Sequence, residues 1–229
     1  MGYGHKATVL GIDLSGRSLD YASGMAQTFN VKSLSFARMD LLDVDQLARR
    51  FDIIESIGVL HHTADPFKSW TALLSVLKPG GIMAIGVYSA AARADLSRFR
   101  AALDWTGTAP DDDLIRTTRH RILNDPQNEF ERSISRSADF HTLSNVRDLL
   151  FNIHEIPLTL PGILDFLDQH ALTFLRFDTP PAITARFIDT YGSDALPSLD
   201  DWIRFEAENP DAFEGMYVFW VQAPESEPN

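Results

Sequence analysis

Two hydrophobic periods alternate over the first 89 residues, and that alternation restricts the chain to a narrow set of folds. "ATVLGID" reads as a strand. The next segment, "SGRSLDYASGMAQTF", brings Leu19, Ala22, Ala26 and Phe29 round at helical spacing, with Ser15 placed to cap the first turn. "LSFARMD" is a second strand and "FDIIESIG" a third, whose Ile-rich centre predicts burial on both faces. "DPFKSWTALLSVLKPGG" sets Trp70, Leu73, Leu74 and Leu77 on one helix face and stops at a Pro-Gly-Gly turn; "IMAIGVYS" follows as a fourth strand. Strands interleaved with helices at these lengths spell a parallel sheet with helical crossovers.

After Ser89 the pattern changes. Residues 90–157 read as helices and loops of mixed charge, including "RADLSRFRAALDW", "RTTRHRIL" and "NVRDLLFNIHEI", which is insertion or lid material. The sheet grammar resumes with a helix "LPGILDFLDQHA", a strand "LTFLRFD", two further helical segments and a last strand "GMYVFWVQA", expected to run antiparallel at the far side of the sheet. Trp202 and Trp220 fall where core residues are expected.

Composition removes several function classes. With 45% hydrophobic and 23% charged residues, the 229-residue chain has the profile of a globular protein able to bury a core. Its net charge of −12 argues against a general nucleic-acid-binding surface, because phosphates are met mostly by Lys and Arg. Cysteine is absent, so there is no disulfide framework, thiolate nucleophile or cysteine-based metal site. No apolar run approaches the roughly 20 residues needed to span a bilayer, so no membrane partner is expected and a cytoplasmic location fits.

Ligands of open α/β sheets sit beyond the carboxyl ends of the strands. Asp13 ends the first strand, where a carboxylate can accept from both hydroxyls of a ribose; an acid there is equally a helix cap. Asp40 ends the second, where it could meet an adenine edge, with Leu14 and Leu41 as apolar ring-packing surfaces; a cap is again the alternative. Ser56, Ile57 and Gly58 end the third strand, Gly58 permitting close approach of a ligand to the backbone. Tyr88 ends the fourth. His61 and His62 do not read as a metal site, since adjacent helical residues point about 100° apart and no third ligand stands at metal-site spacing. One is expected to pack near the strand ends and the other to be solvated. No nucleophile elbow, zinc-protease helix or phosphate loop is present.

Taken in order, "GIDLSGRSLDYA", "ARMDLLD", "FDIIESIGVLHHTADP" and "LKPGGIMAIGVYS" resemble the successive motifs of class I S-adenosylmethionine-dependent methyltransferases. The downstream segments "SRSADFHTLSNVRDLLFNIHEIPLTLPGILDFLDQHALTFLRF" and "FEAENPDAFEGMYVFWVQ" are similar to a bacterial subgroup often fused behind tetratricopeptide repeats. The resemblance implies a Rossmann-like α/β domain: residues 1–89 would be a cofactor-binding half, 90–157 a helical lid and 158–229 the rest of the sheet. It implies S-adenosylmethionine as methyl donor, with Asp13 on the ribose, Leu14 and Leu41 around the adenine, Asp40 on its amino group, and Ser56, Ile57, Gly58 and His61 by the methionine portion. The methyl acceptor is not specified, and Tyr88, His141, Arg147 and His154 are candidates for acting on it; for Arg147 an ion pair with Asp148 or Asp139 is expected over substrate contact.

One departure from the family pattern stands out. The family's opening strand and glycine-rich turn do not appear, and Gly2-Tyr3-Gly4 cannot replace them, because only eight residues separate Gly4 from Asp13 whereas a three-turn helix alone needs about eleven. An incomplete copy is therefore expected, with weak donor binding and association through unpaired strand edges. A degenerate, non-catalytic methyltransferase-like interaction module is the alternative. A dinucleotide binder is disfavoured, because no G-x-G-x-x-G precedes Asp13.

Overall fold

In a computed structural model of the chain, the structure describes residues 7–103, 110–137, 140–152, 155–213 and 215–225. The element order is β1 (Val9–Asp13), α1 (Gly16–Thr28), β2 (Leu34–Arg38), a short 3-10 helix (Leu41–Leu47), β3 (Phe51–Ile57), α2 (Pro66–Ser75) and β4 (Leu77–Tyr88). Then come α3 (Ala94–Ala102), α4 (Asp112–Asn124), α5 (Glu129–Ile134), α6 (Leu143–Phe151), α7 (Leu160–Gln169), β5 (Thr173–Phe177), α8 (Pro181–Tyr191), α9 (Leu199–Glu208) and β6 (Met216–Gln222). β1 and β2 pair in parallel, and a second sheet has the order β3-β4-β6-β5 with β5 and β6 antiparallel. No helix among the described residues is long and apolar enough to cross a membrane.

The chain divides into two compact units: Met1–Ile54 with Phe67–Ile82 and Ala223–Asn229, and Glu55–Pro66 with Met83–Gln222. In the first, β1 and β2 run in register from Val9 opposite Leu34 to Asp13 opposite Arg38. Gly11 makes that close packing possible, because a Cβ there would stand 3.0 Å from the Phe36 ring. Ser15 caps α1, its hydroxyl accepting from the Ser18 N–H at 3.2 Å. The apolar face of that helix is half-buried at Leu19, Ala22 and Ala26, although no residue of α1 is fully buried and Phe29, just past its end, is 69% exposed.

Three further expectations are corrected. Leu77 does not extend α2; the Phe51 N–H donates to the Val76 carbonyl at 2.8 Å, draws the chain into strand pairing, and makes Leu77 the first residue of β4. The Pro-Gly-Gly run is consequently an irregularity inside β4, where Gly80 takes a left-handed φ of 69° and its N–H donates to the Pro224 carbonyl at 2.9 Å. β3 is not buried on both faces, since Ile53 and Ile57 are exposed and only Ser56 is buried; burial comes from what packs on a strand, which its isoleucine content does not specify.

The last strand runs antiparallel to its neighbour β5, as expected. β6 lies between β4 and β5, with the Ser89 N–H bonded to the Gly215 carbonyl and the Ala223 N–H to the Gly81 carbonyl. Tyr217, Phe219, Trp220 and Val221 are all buried, and a strand apolar on both faces takes an interior place. β5, whose Arg176 is largely exposed, takes the edge.

The second unit carries two packed cores. Phe187 stacks on Trp202 at 3.8 Å between ring centroids, and Phe177 meets the same indole edge-on at 5.1 Å. In the helices after β4, Leu96, Ile115, Ile122, Val146, Leu150 and Phe151 form a separate cluster. Their polar bracing is an Arg121–Glu131 fork with both hydrogen bonds at 2.8 Å. The start of this helical segment is tied down at Ser89, whose hydroxyl lies 2.9 Å from the Tyr217 oxygen while the Tyr217 O–H donates to Glu206 at 2.6 Å. Its end returns beside the same strand: the Leu158 N–H donates to the Tyr88 carbonyl and the Ile156 N–H to the His61 carbonyl.

Candidate active site

In the first unit the parallel register of β1 and β2 brings Asp13, Leu14, Asp40 and Leu41 to the carboxyl ends of neighbouring strands. Both carboxylates accept from a backbone N–H two residues on, and Asp40 thereby caps the 3-10 helix while Asp13 forms a turn leading to the Ser15 cap. Asp13 accepts from the Ser15 N–H at 2.7 Å, and Asp40 accepts from the Leu42 N–H at 2.9 Å. Each of these bonds uses one oxygen, and the other has no hydrogen bond among the described residues. Leu14 is 61% exposed beside Asp13, its loop held by the Arg38 Nε–H donating to the Leu14 carbonyl. Leu41 is half-buried.

In the second unit Ser56 is buried, Ile57 is exposed, and Gly58 has a φ of 75° with its N–H bonded to the Gly86 carbonyl. His61 is fully buried and its Nδ1 accepts from the Tyr88 N–H at 3.2 Å, which puts the ring proton on Nε2. That Nε2 and the Ser56 hydroxyl oxygen are buried without a hydrogen-bond partner. Burial, then the neighbouring His62 and Arg93, push the His61 pKa down to about 4, so the ring is neutral at physiological pH. His62 is exposed at the mouth of the adjoining pocket.

That pocket, about 560 Å³, lies among Tyr88 and His62 from the strand ends, Arg93 before α3, Asn145, Asp148 and Leu149 of α6, and Asn152 and Glu155 after it. The Arg93 guanidinium sits 3.6 Å over the Tyr88 ring. Glu155, its side chain 3% exposed, stands between two arginines, with Arg100 at 3.1 Å and Arg93 at 3.7 Å. Arg100 is oriented in turn by the Leu149 carbonyl, to which its Nε–H donates at 3.0 Å.

The structure thus brings Asp13, Leu14, Asp40 and Leu41 together, and separately Ser56 to Gly58, His61 and Tyr88. His141 is not in the Tyr88 pocket; it lines a second groove with Arg116, Arg119 and His120 of α4. Arg147 pairs with Asp112 at 2.6 Å, not with Asp148. His154 and Asp139 lie outside the described residues, as do Gly2 to Gly4. Arg93 and Glu155 carry no sequence signal: Glu155 is one of 32 acidic residues, and only the returning chain brings it to Arg93.

A family model described as a methyltransferase domain matches residues 2–124. The chain belongs to the methyltransferase-domain family. An uncharacterised protein of Synechococcus is 33% identical over 212 residues, which is 87% of this methyltransferase-family chain and 50% of that protein. A ubiquinone biosynthesis O-methyltransferase of Cereibacter sphaeroides is 31% identical over 77 residues, 34% of the chain and 31% of that enzyme. Among solved structures, PKMT2 from Rickettsia typhi in complex with AdoHcy superposes with a TM-score of 0.63 at 16% identity, over 97% of the chain and 45% of that protein. The chain therefore spans about half the length, or less, of these relatives. Its fold is the α/β methyltransferase fold with a mixed sheet.

Proposed function

We propose that this methyltransferase-family chain serves the transfer of a methyl group from S-adenosylmethionine to an acceptor held in the Tyr88–Arg93–Glu155 pocket. The observation that carries the reading is the pairing, at the ends of two parallel strands, of exposed carboxylates with an exposed apolar side chain. The free oxygen of Asp13 suits a ribose hydroxyl, Leu14 and Leu41 suit the faces of an adenine, and Asp40 suits its amino group. Ser56 and the neutral His61 each offer a buried polar atom without a partner, of the kind a ligand's polar end satisfies. A neutral imidazole donor also adds no positive charge against a cationic ligand. S-adenosylmethionine, when bound, supplies an electrophilic methyl on sulfur; the residues of the chain contribute by holding and orienting. Arg93, clamped on Tyr88, and Glu155, clamped by Arg100, give the acceptor pocket fixed polar walls.

Among the described residues β1 pairs with β2 alone and β3 with β4 alone. This supports the further reading that the protein associates through open strand edges. Titration calorimetry with S-adenosylhomocysteine tests the donor reading, and Asp13→Ala should weaken binding at least about tenfold, the worth of one charge-assisted hydrogen bond. Absence of binding overturns the donor reading, and an unchanged affinity in Asp13→Ala returns that residue to its turn-forming role alone.

A second reading, a non-catalytic interaction module, is favoured by one observation: Tyr21 and Phe29 of the α1 segment are 72% and 69% exposed. Donor binding without methyl transfer to any acceptor would select it.

A further inference from the structure

We infer that the methyl-acceptor pocket recognises a hydroxyl group, at the gap between Arg93 Nε and Glu155 Oε1. This rests on the reading of that cavity as the acceptor site and adds the chemical class of what enters it. The two atoms face each other at 3.7 Å, too far for a hydrogen bond, and both are buried without a hydrogen-bond partner. Neither is free to turn away. The guanidinium of Arg93 is laid on the Tyr88 ring, and the other oxygen of Glu155 is engaged by Arg100 at 3.1 Å.

A guanidinium N–H only donates, and an ionised carboxylate only accepts. One atom satisfies both if it accepts from Arg93 and donates to Glu155, and a hydroxyl does this. An ether or carbonyl oxygen accepts but cannot donate, leaving Glu155 unmet. An acceptor's own carboxylate would face Glu155 with like charge, and an alkylammonium would face Arg93 in the same way. The cavity, about 560 Å³, is of small-molecule size. A low-molecular-weight alcohol or phenol is thus the class of compound the pocket fits.

The test uses the full chain and a matched pair of probes, benzyl alcohol and benzyl methyl ether, titrated by protein-observed NMR without donor. The alcohol should bind at least tenfold more tightly than the ether and shift the Arg93 Nε–H resonance. Arg93→Lys and Glu155→Gln should each erase the preference while thermal melting shows the fold retained. The comparison within the unsubstituted chain stands even if a variant fails to fold. Equal affinity for the two probes overturns the inference, and so does absence of binding by both, which would mean that the gap holds water only. The two layers separate cleanly. Alcohol preference without methyl transfer in the donor-loaded protein removes the acceptor-site reading but leaves the hydroxyl subsite. Methyl transfer to an amine with no alcohol preference removes this inference alone.

Discussion

Helices α1 and α9 are written in the same amphipathic period and end up in different situations. α9 buries Leu199, Trp202 and Phe205 against α8 and the rings of Phe177 and Phe213, whereas α1 only half-buries Leu19, Ala22 and Ala26. The difference separates two ways of presenting chemistry. Around β1 and β2 the candidate carboxylates are exposed and held by single local hydrogen bonds, while around Tyr88 the groups are held by stacked rings, doubled ion pairs and a chain segment returning through backbone hydrogen bonds. Ligand contacts of the first kind depend on what arrives, and those of the second are already in place.

The contrast breaks first at Trp202. Trp202→Ala removes the partner of both Phe187 and Phe177 and should lower unfolding stability by about 3–5 kcal/mol in urea titrations. A loss below about 1 kcal/mol would mean that this core is no better packed than the α1 region.

Arg121→Met probes the insertion. Its fork on Glu131 holds that carboxyl below the usual range, against the opposing effect of burial, so removing it should cost about 1–3 kcal/mol. Because the folded pKa is depressed, the pair's contribution is complete above the ordinary carboxylate range and disappears as pH falls through the folded value. The acid-unfolding midpoint should therefore move to higher pH in the variant; an unmoved midpoint refutes the pair's role.

His61 gives a smaller effect with its own pH window. With a folded pKa of about 4 against 6.5 for an ordinary imidazole, the unfolded chain binds more protons between those values. Its contribution is full above pH 6.5 and declines towards pH 4, by about 1 kcal/mol between pH 7 and 5.5. His61→Phe should flatten that slope, and an NMR titration should find the ring still neutral at pH 5. A ring titrating near 6.5 would place it in solvent.

The smallest effect is expected on the exposed side of the comparison. Tyr21→Ala should leave stability within about 0.5 kcal/mol, since Tyr21 is 72% exposed. A large loss would show that this face is covered in solution, and a change in sedimentation with the same substitution would identify the cover as a second copy.

The strand–helix alternation, the acids closing β1 and β2 and the Ser15 cap were all legible because each is set by residues within a few positions of one another. Periodicity and capping are local, and so is the placement of a residue at the end of a strand. The place of β6 between β4 and β5, the exposure of β3 and the strand position of Leu77 were not legible. Each depends on which distant segment supplies the hydrogen bonds or the covering side chains, as when Phe51 captures the carbonyl of Val76. The same holds at the candidate site. The sequence by itself determined that Asp13, Asp40, Ser56 and Tyr88 would stand at strand ends. Only the tertiary structure decided that Arg93 would lie on Tyr88 with Glu155 opposite, because a glutamate 62 positions away reaches that arginine through the path of the returning chain.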